Sequence, residues 1–206
     1  MIPEKQKLKA KKYARILGML PGVRALFLSG SLAQGRGNEN SDIDFFIIAR
    51  EGQIWTARFF VFLTLGITSQ LRREKNTAGK ICPNHFITDQ HLKIRERDAY
   101  SAHLFTHNIP LYDPRNIFAD FVEENQEWVQ KFGESFAAKQ DLNPSISGLE
   151  SKKRNFFWSW LESCLQLAQM EKIKRNPDFR IPGAKIILDD CELRFHPHPR
   201  NKNFQK

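Results

Sequence analysis

Residues 26–48 read LFLSGSLAQGRGNENSDIDFFII, and this stretch decides the fold. An apolar run over 24–29 reads as a strand that breaks at Gly30-Ser31. Residues 30–40 are polar and carry Gly30, Gly35 and Gly37, which predicts a loop or a loop feeding one helical turn. Residues 42–49, rich in Ile and Phe, predict a second strand. Gly30 lets the backbone approach a ligand closely. Ser31 sets a hydroxyl beside the amides that open a helical turn, a combination that favours a phosphate. Asp42 and Asp44 stand two apart on a strand, so both carboxylates leave one face. Such a pair repels itself unless a cation sits between, and hard oxygens of this kind suit Mg²⁺. A lone Gly-Ser is usually a turn, and a lone Asp-x-Asp usually a solvated strand end. Here the pair borders Phe45, Phe46, Ile47 and Ile48, and carboxylates at the mouth of a core strand need a partner.

Working outward, Ala10, Tyr13, Ala14, Leu17 and Leu20 recur at helical spacing, and Pro21-Gly22 stops that helix. An apolar helix is expected over 54–71, a third strand near 81–88, a helix over 90–107 and an extended segment over 108–112. Asp113-Pro114 then reads as a helix start, with Asp as the cap and Pro at the first helical position. Its stripe is Phe118, Phe121, Val122, Asn125, Trp128, Val129 and Phe132, with only Asn125 polar. A further helix is expected from Ser147, with Glu150 completing a capping box and a stripe that includes Phe156, Phe157, Trp160 and Leu165. These two helices are expected to form an antiparallel pair. The domain division that follows is 1–112, α/β, and 113–206, helical with a basic tail.

Gly30-Ser31, ten residues, then Asp42-Ile43-Asp44 resembles the signature of the DNA polymerase beta-type nucleotidyltransferase superfamily, and most of all its minimal bacterial and aminoglycoside-modifying branches. The resemblance implies an α/β (α+β) fold: a small mixed sheet flanked by helices, with a helical C-terminal half. It implies an enzyme that transfers a nucleoside monophosphate, AMP from ATP, to a hydroxyl of a small-molecule or protein acceptor. Gly30 and Ser31 would hold the phosphates of the nucleoside triphosphate, and Asp42 and Asp44 would be the catalytic Mg²⁺ ligands. Arg36, in the loop after Ser31, is within reach of a triphosphate. Active members carry a third carboxylate on a later strand. Here that strand falls within GKICPNHFITD, 79–89, whose central polar residue is the neutral Asn84. Pro83 beside it predicts an edge strand. Asp89 is the substitute, at an odd offset from Asn84 and so on the other face. The alternative function is a catalytically impaired nucleotide-binding module that acts on a partner protein.

The remaining features narrow the field. The chain has 206 residues and a formal charge of +9, but the charge is +6 over 1–24 and +5 over 172–206, which leaves −2 between. Solvated basic ends account for this better than a nucleic-acid partner. No signal peptide is visible, and the apolar run 54–68 is too short to span a membrane and contains Arg58. Three widely spaced cysteines form no disulfide framework, which predicts a cytoplasmic protein. A homodimer is compatible with all of this. His85 reads as a packed or surface imidazole. His103 and His107 have the i, i+4 spacing of metal ligands without the Glu of the zinc-protease motif, and read as surface histidines.

Overall fold

The computed structural model describes residues 2–73, 76–136, 156–175 and 185–196. In chain order its elements are α1 (Glu4–Gly18), β1 (Val23–Ser29), α2 (Gly30–Ala33), β2 (Ile43–Ala49), α3 (Ile54–Ile67), β3 (Ile81–Thr88), α4 (Ala99–Thr106), β4 (Ile109–Tyr112), α5 (Ile117–Gln130), α6 (Phe156–Lys174), β5 (Lys185–Leu188) and β6 (Glu192–His196). The strands form one mixed sheet in the order β4-β1-β2-β3-β6-β5. β2 and β3 run parallel, and the other neighbours are antiparallel.

The central strands are continuous apolar runs because both sheet faces are covered. Leu26, Leu28, Phe45 and Ile47 face one core, closed by Ala10, Ala14 and Leu17 of α1 and by Trp55, Val61 and Leu65 of α3. Ala25, Phe27, Phe46 and Ile48 face the other core, closed by Ala102 and Phe105 of α4 and by Phe121 and Val129 of α5. Helix α6 docks on the first side through polar groups as well as Leu165 and Met170. Its Glu162 accepts from the Trp55 and Thr56 amides (2.8 and 2.9 Å) and from Thr56 Oγ1 (2.6 Å), capping the open end of α3. Among the described residues no helix is long and apolar enough to cross a membrane.

Several expectations need correction. The helix expected over 90–107 is confined to α4. The Asp98 carboxylate accepts from Ser101 N at 2.7 Å and starts the helix there. Upstream, buried Asn125 accepts from Ile94 N and donates to Leu92 O, both at 2.9 Å, which holds 92–94 out of helical geometry. Helix α5 begins at Ile117, three residues past Pro114, although Asp113 does accept from the Ile117 and Phe118 amides at 2.9 Å. α5 and α6 lie on opposite faces of the sheet and so form no antiparallel pair. The start of a helix at Ser147 lies outside the described residues. Within α6, Phe156, Phe157 and Trp160 are exposed, whereas Glu162 and Gln169 are buried. Pro83 is not on an edge, because β3 has β2 on one side and β6 on the other. The region read as a basic tail contains β5 and β6, whose hairpin extends the sheet beyond β3.

Candidate active site at the acid pair

The turn after β1 and the start of β2 meet because the two strands are antiparallel, with Ser29 opposite Asp44. Gly30 has φ +70°, and a Cβ there would lie 2.1 Å from Asp44 Oδ2. Only glycine supplies both that backbone angle and the space the carboxylate occupies. Ser31 follows in the single turn α2, half-buried, and its carbonyl accepts from the Arg36 and Gly37 amides at 3.0 and 2.9 Å. Those bonds fold the loop back toward β2. Asp42 stands just before β2, and ligand atoms of Asp42, Asp44 and Cys82 lie within 4.8 Å of one another.

Cys82 arrives through the parallel pairing of β2 with β3, where it sits opposite Asp44. The register then shifts: Phe45 pairs with Pro83, but Phe46 pairs with His85, so Asn84 is the extra residue of a bulge. The bulge resets the side-chain alternation. Asn84 reaches Asp44, its Nδ2 donating to Oδ1 at 3.3 Å. His85 lines the same small cavity as Gly30, Asp44, Asn84, Tyr100 and Leu104. In an unbroken strand Asn84 and His85, as neighbours, would point to opposite faces. Buried Glu192 on β6 holds His85, with Oε1 2.9 Å from Nε2.

The pair already has a cation beside it. Arg72 Nε lies 2.9 Å from Asp42 Oδ2, and Arg72 Nη1 lies 3.7 Å from Cys82 Sγ. Burial disfavours the guanidinium's charge, but Cys82, Asp42 and Asp44 outweigh it and raise the Arg72 pKa. Burial, followed by the charge of Asp44, pushes the Cys82 thiol up to about 12, with Arg72 pulling the other way. The thiol is therefore protonated at neutral pH, and the charged donors are two carboxylates. That donor set, with the Gly30 hydrogen giving Asp44 its room, fits a hard divalent cation such as Mg²⁺.

Of the residues singled out in the sequence, the fold brings together Gly30, Asp42, Asp44 and Asn84, with Ser31 next to Gly30. Arg36 stays beside Ser31 through its backbone, with its side chain exposed and bonded to that of Gln34. Asp89 sits past the far end of β3, seven residues and about 23 Å of strand from Cys82. There it accepts from Glu51 N (2.9 Å) and pairs with Arg24 (3.3 Å). Arg72, Cys82 and Tyr100 escaped the sequence reading, and His85, read there as a packed or surface imidazole, is buried at the edge of the cavity. Cys82 had a usable signal, since it lies two residues from Asn84 on one strand. His85 had none, because a bulge leaves no mark in the alternation of a short apolar run.

One family matches the segment that carries this geometry. The family described as "Nucleotidyltransferase domain" matches residues 10–99, from mid-α1 to the first residue of α4. A solved structure described as "Crystal structure of the toxin-antitoxin with AMP-PNP" is similar at 16% identity and a TM-score of 0.34, covering 63% of this chain and 86% of that one. No curated protein matches. Residues 10–99, which carry Gly30, Ser31, Asp42, Asp44 and Asn84, are thus similar to the nucleotidyltransferase domain family.

Proposed function

We propose that the protein transfers a nucleoside monophosphate, AMP from ATP, to a hydroxyl of a small-molecule or protein acceptor. Asp42 and Asp44 hold the Mg²⁺, and Gly30 and Ser31 steady the phosphates. The observation that supports this reading is the close approach of Gly30 to Asp44, where a Cβ would lie 2.1 Å from the carboxylate oxygen. Bound there, Mg²⁺ would neutralise the triphosphate and stabilise charge on the attacking and leaving oxygens. Ser31 donates its hydroxyl to a phosphate oxygen, and Asp42 and Asp44 fix the approach of the triphosphate. Asn84 has no basic atom and takes no proton, so His85 accepts the acceptor hydroxyl's proton. Glu192 orients that ring and stabilises its charged form, as a carboxylate does for imidazole in hydrolytic triads. The division into 1–112 and 113–206 assigns the nucleotide to the first part and acceptor contacts to the second. The free thiols Cys82, Cys164 and Cys191 support a reducing compartment, the cytoplasm.

Incubation with Mg²⁺ and ATP labelled at the α-phosphate, against panels of polyhydroxylated small molecules and of proteins, tests the proposal. Wild type should label an acceptor and release pyrophosphate. Asp44→Asn should lower transfer by roughly 100-fold without lowering thermal stability, since one of two repelling carboxylates is gone. Unchanged transfer by Asp44→Asn would sink the assignment. Mg²⁺-dependent ATP binding without pyrophosphate release would favour the impaired nucleotide-binding module, for which the neutral Asn84 at Asp44 is the motive.

A further inference from the structure

A second group of ligand-type side chains lies away from the acid pair. His103 and His107 stand one turn apart at the C-terminal end of α4, with ring centroids 4.3 Å apart. Glu134, four residues after α5 ends, comes up against them. Its Oε1 is 2.9 Å from His103 Nδ1, and one donor atom from each of the three residues lies within 4.8 Å of the others. From these observations we propose that His103, His107 and Glu134 form a Zn²⁺ site that pins α4 to the end of α5.

The donor set suits that ion. Two imidazoles and one carboxylate with an open fourth position is a common zinc arrangement, whereas Mg²⁺ avoids nitrogen. Bonds of about 2.0–2.1 Å in a tetrahedron place donors about 3.3 Å apart. The three donor atoms, within 4.8 Å of one another, would each have to close by about 1.5 Å at most to reach that spacing. His107 is already prepared: its Nδ1 lies 2.7 Å from the His103 carbonyl, and donation to that oxygen leaves Nε2 as the metal-binding atom. Backbone bonds of this kind fix the tautomer of zinc-bound histidines. The site also sits where the partial negative charge of the α4 C-terminus favours a cation. His103 and Glu134 side chains are 25% and 29% exposed, open enough for an ion and a water to enter. Tyr100 and Leu104, which line the cavity at Asp44, sit on the same helix. Zinc would therefore hold that wall in place from behind.

The test uses the untagged full chain, stripped with a chelator and titrated calorimetrically with Zn²⁺, with melting followed in parallel. Wild type should bind one Zn²⁺ and melt at a higher temperature with it. His103→Gln and His107→Gln should each weaken binding by roughly tenfold or more and abolish the rise in melting temperature. Asp44→Asn and Cys82→Ser should leave both unchanged, which separates this site from the acid pair. Co²⁺ in the wild type should give tetrahedral absorption bands, a readout that does not depend on any variant folding. Absence of a 1:1 Zn²⁺ complex and of those bands would overturn the proposal. So would binding retained in both histidine variants, or binding lost in Cys82→Ser.

Discussion

At the scale of single residues, the site turns on what stands at position 84. Asn84 donates to Asp44 and so offsets some of the repulsion between the two acids without adding charge. Asn84→Asp would bring a third carboxylate to the same place. The metal-free variant should then melt below wild type, because three like charges share a small space. Added Mg²⁺ should more than reverse the loss. Melting curves with and without Mg²⁺ read both effects, and equal Mg²⁺ shifts in wild type and variant would show that position 84 does not face the ion. The two aspartates and Gly30 were legible in the sequence because their spacing is itself the signal. Asn84's contact was legible only in part: the strand was recognisable, but a bulge residue has no partner position to predict.

At the scale of elements, apolar strands declared themselves and polar devices did not. β2 and β3 were readable as runs of Ile and Phe between turn residues. The β5–β6 hairpin was missed because its strands are short and lie in a basic segment, although Asp189 marks the turn by accepting from the Cys191 and Glu192 amides at 2.9 and 2.8 Å. The docking of α6 was illegible for a different reason. Its apolar stripe suggested a buried face, yet the buried contacts are made by Glu162 and Gln169, which complete the hydrogen bonds of α3. Glu162→Ala strands two buried amides and a hydroxyl, and should cost about 2–3 kcal/mol. Glu162→Gln should cost less, because one acceptor oxygen remains. Urea unfolding measures both, and a change within about 0.5 kcal/mol for the alanine variant would mean that α6 is not held by this carboxylate. Asp189 gives the hairpin a pH dependence. Burial works to raise its pKa, but bonds from Arg95 and from the Cys191 and Glu192 amides outweigh burial and hold it below 3.8. A depressed carboxylate stabilises above its ordinary value, and the stability drains away as pH falls through the folded value. Hydrogen-exchange protection of β5 and β6, corrected for intrinsic rates, should therefore drop below pH 3.8 in wild type. Asp189→Asn should lack that step, and an identical profile in the two proteins would count against it.

At the scale of the whole molecule, the sheet sorts the chain into two jobs. The core under α1, α3 and α6 is scaffold, while the face under α4 and α5 carries the cavity at Asp44, so changes that loosen α4 reach the site and changes under α1 need not. The charge distribution follows a similar division. The surplus of Lys and Arg lies toward the chain ends, while the acid pair has Arg72 against Asp42. On the proposed reading, in which the acid pair holds Mg²⁺, Arg72 is a counter-ion on a leash. A tethered guanidinium is present at an effective concentration that free ions must outcompete, so the apparent Mg²⁺ affinity would be the difference between two bindings. Arg72→Ala should therefore tighten Mg²⁺ binding in the absence of nucleotide, by roughly two- to fivefold for a pair that contributes about 0.5–1 kcal/mol. Calorimetric titration of Mg²⁺ into the nucleotide-free variant checks it, and weaker binding would mean that Arg72 positions the acids instead of occupying them. The salt response should shift as well: wild type gives up its leash more readily at high ionic strength, while the variant has none to give up.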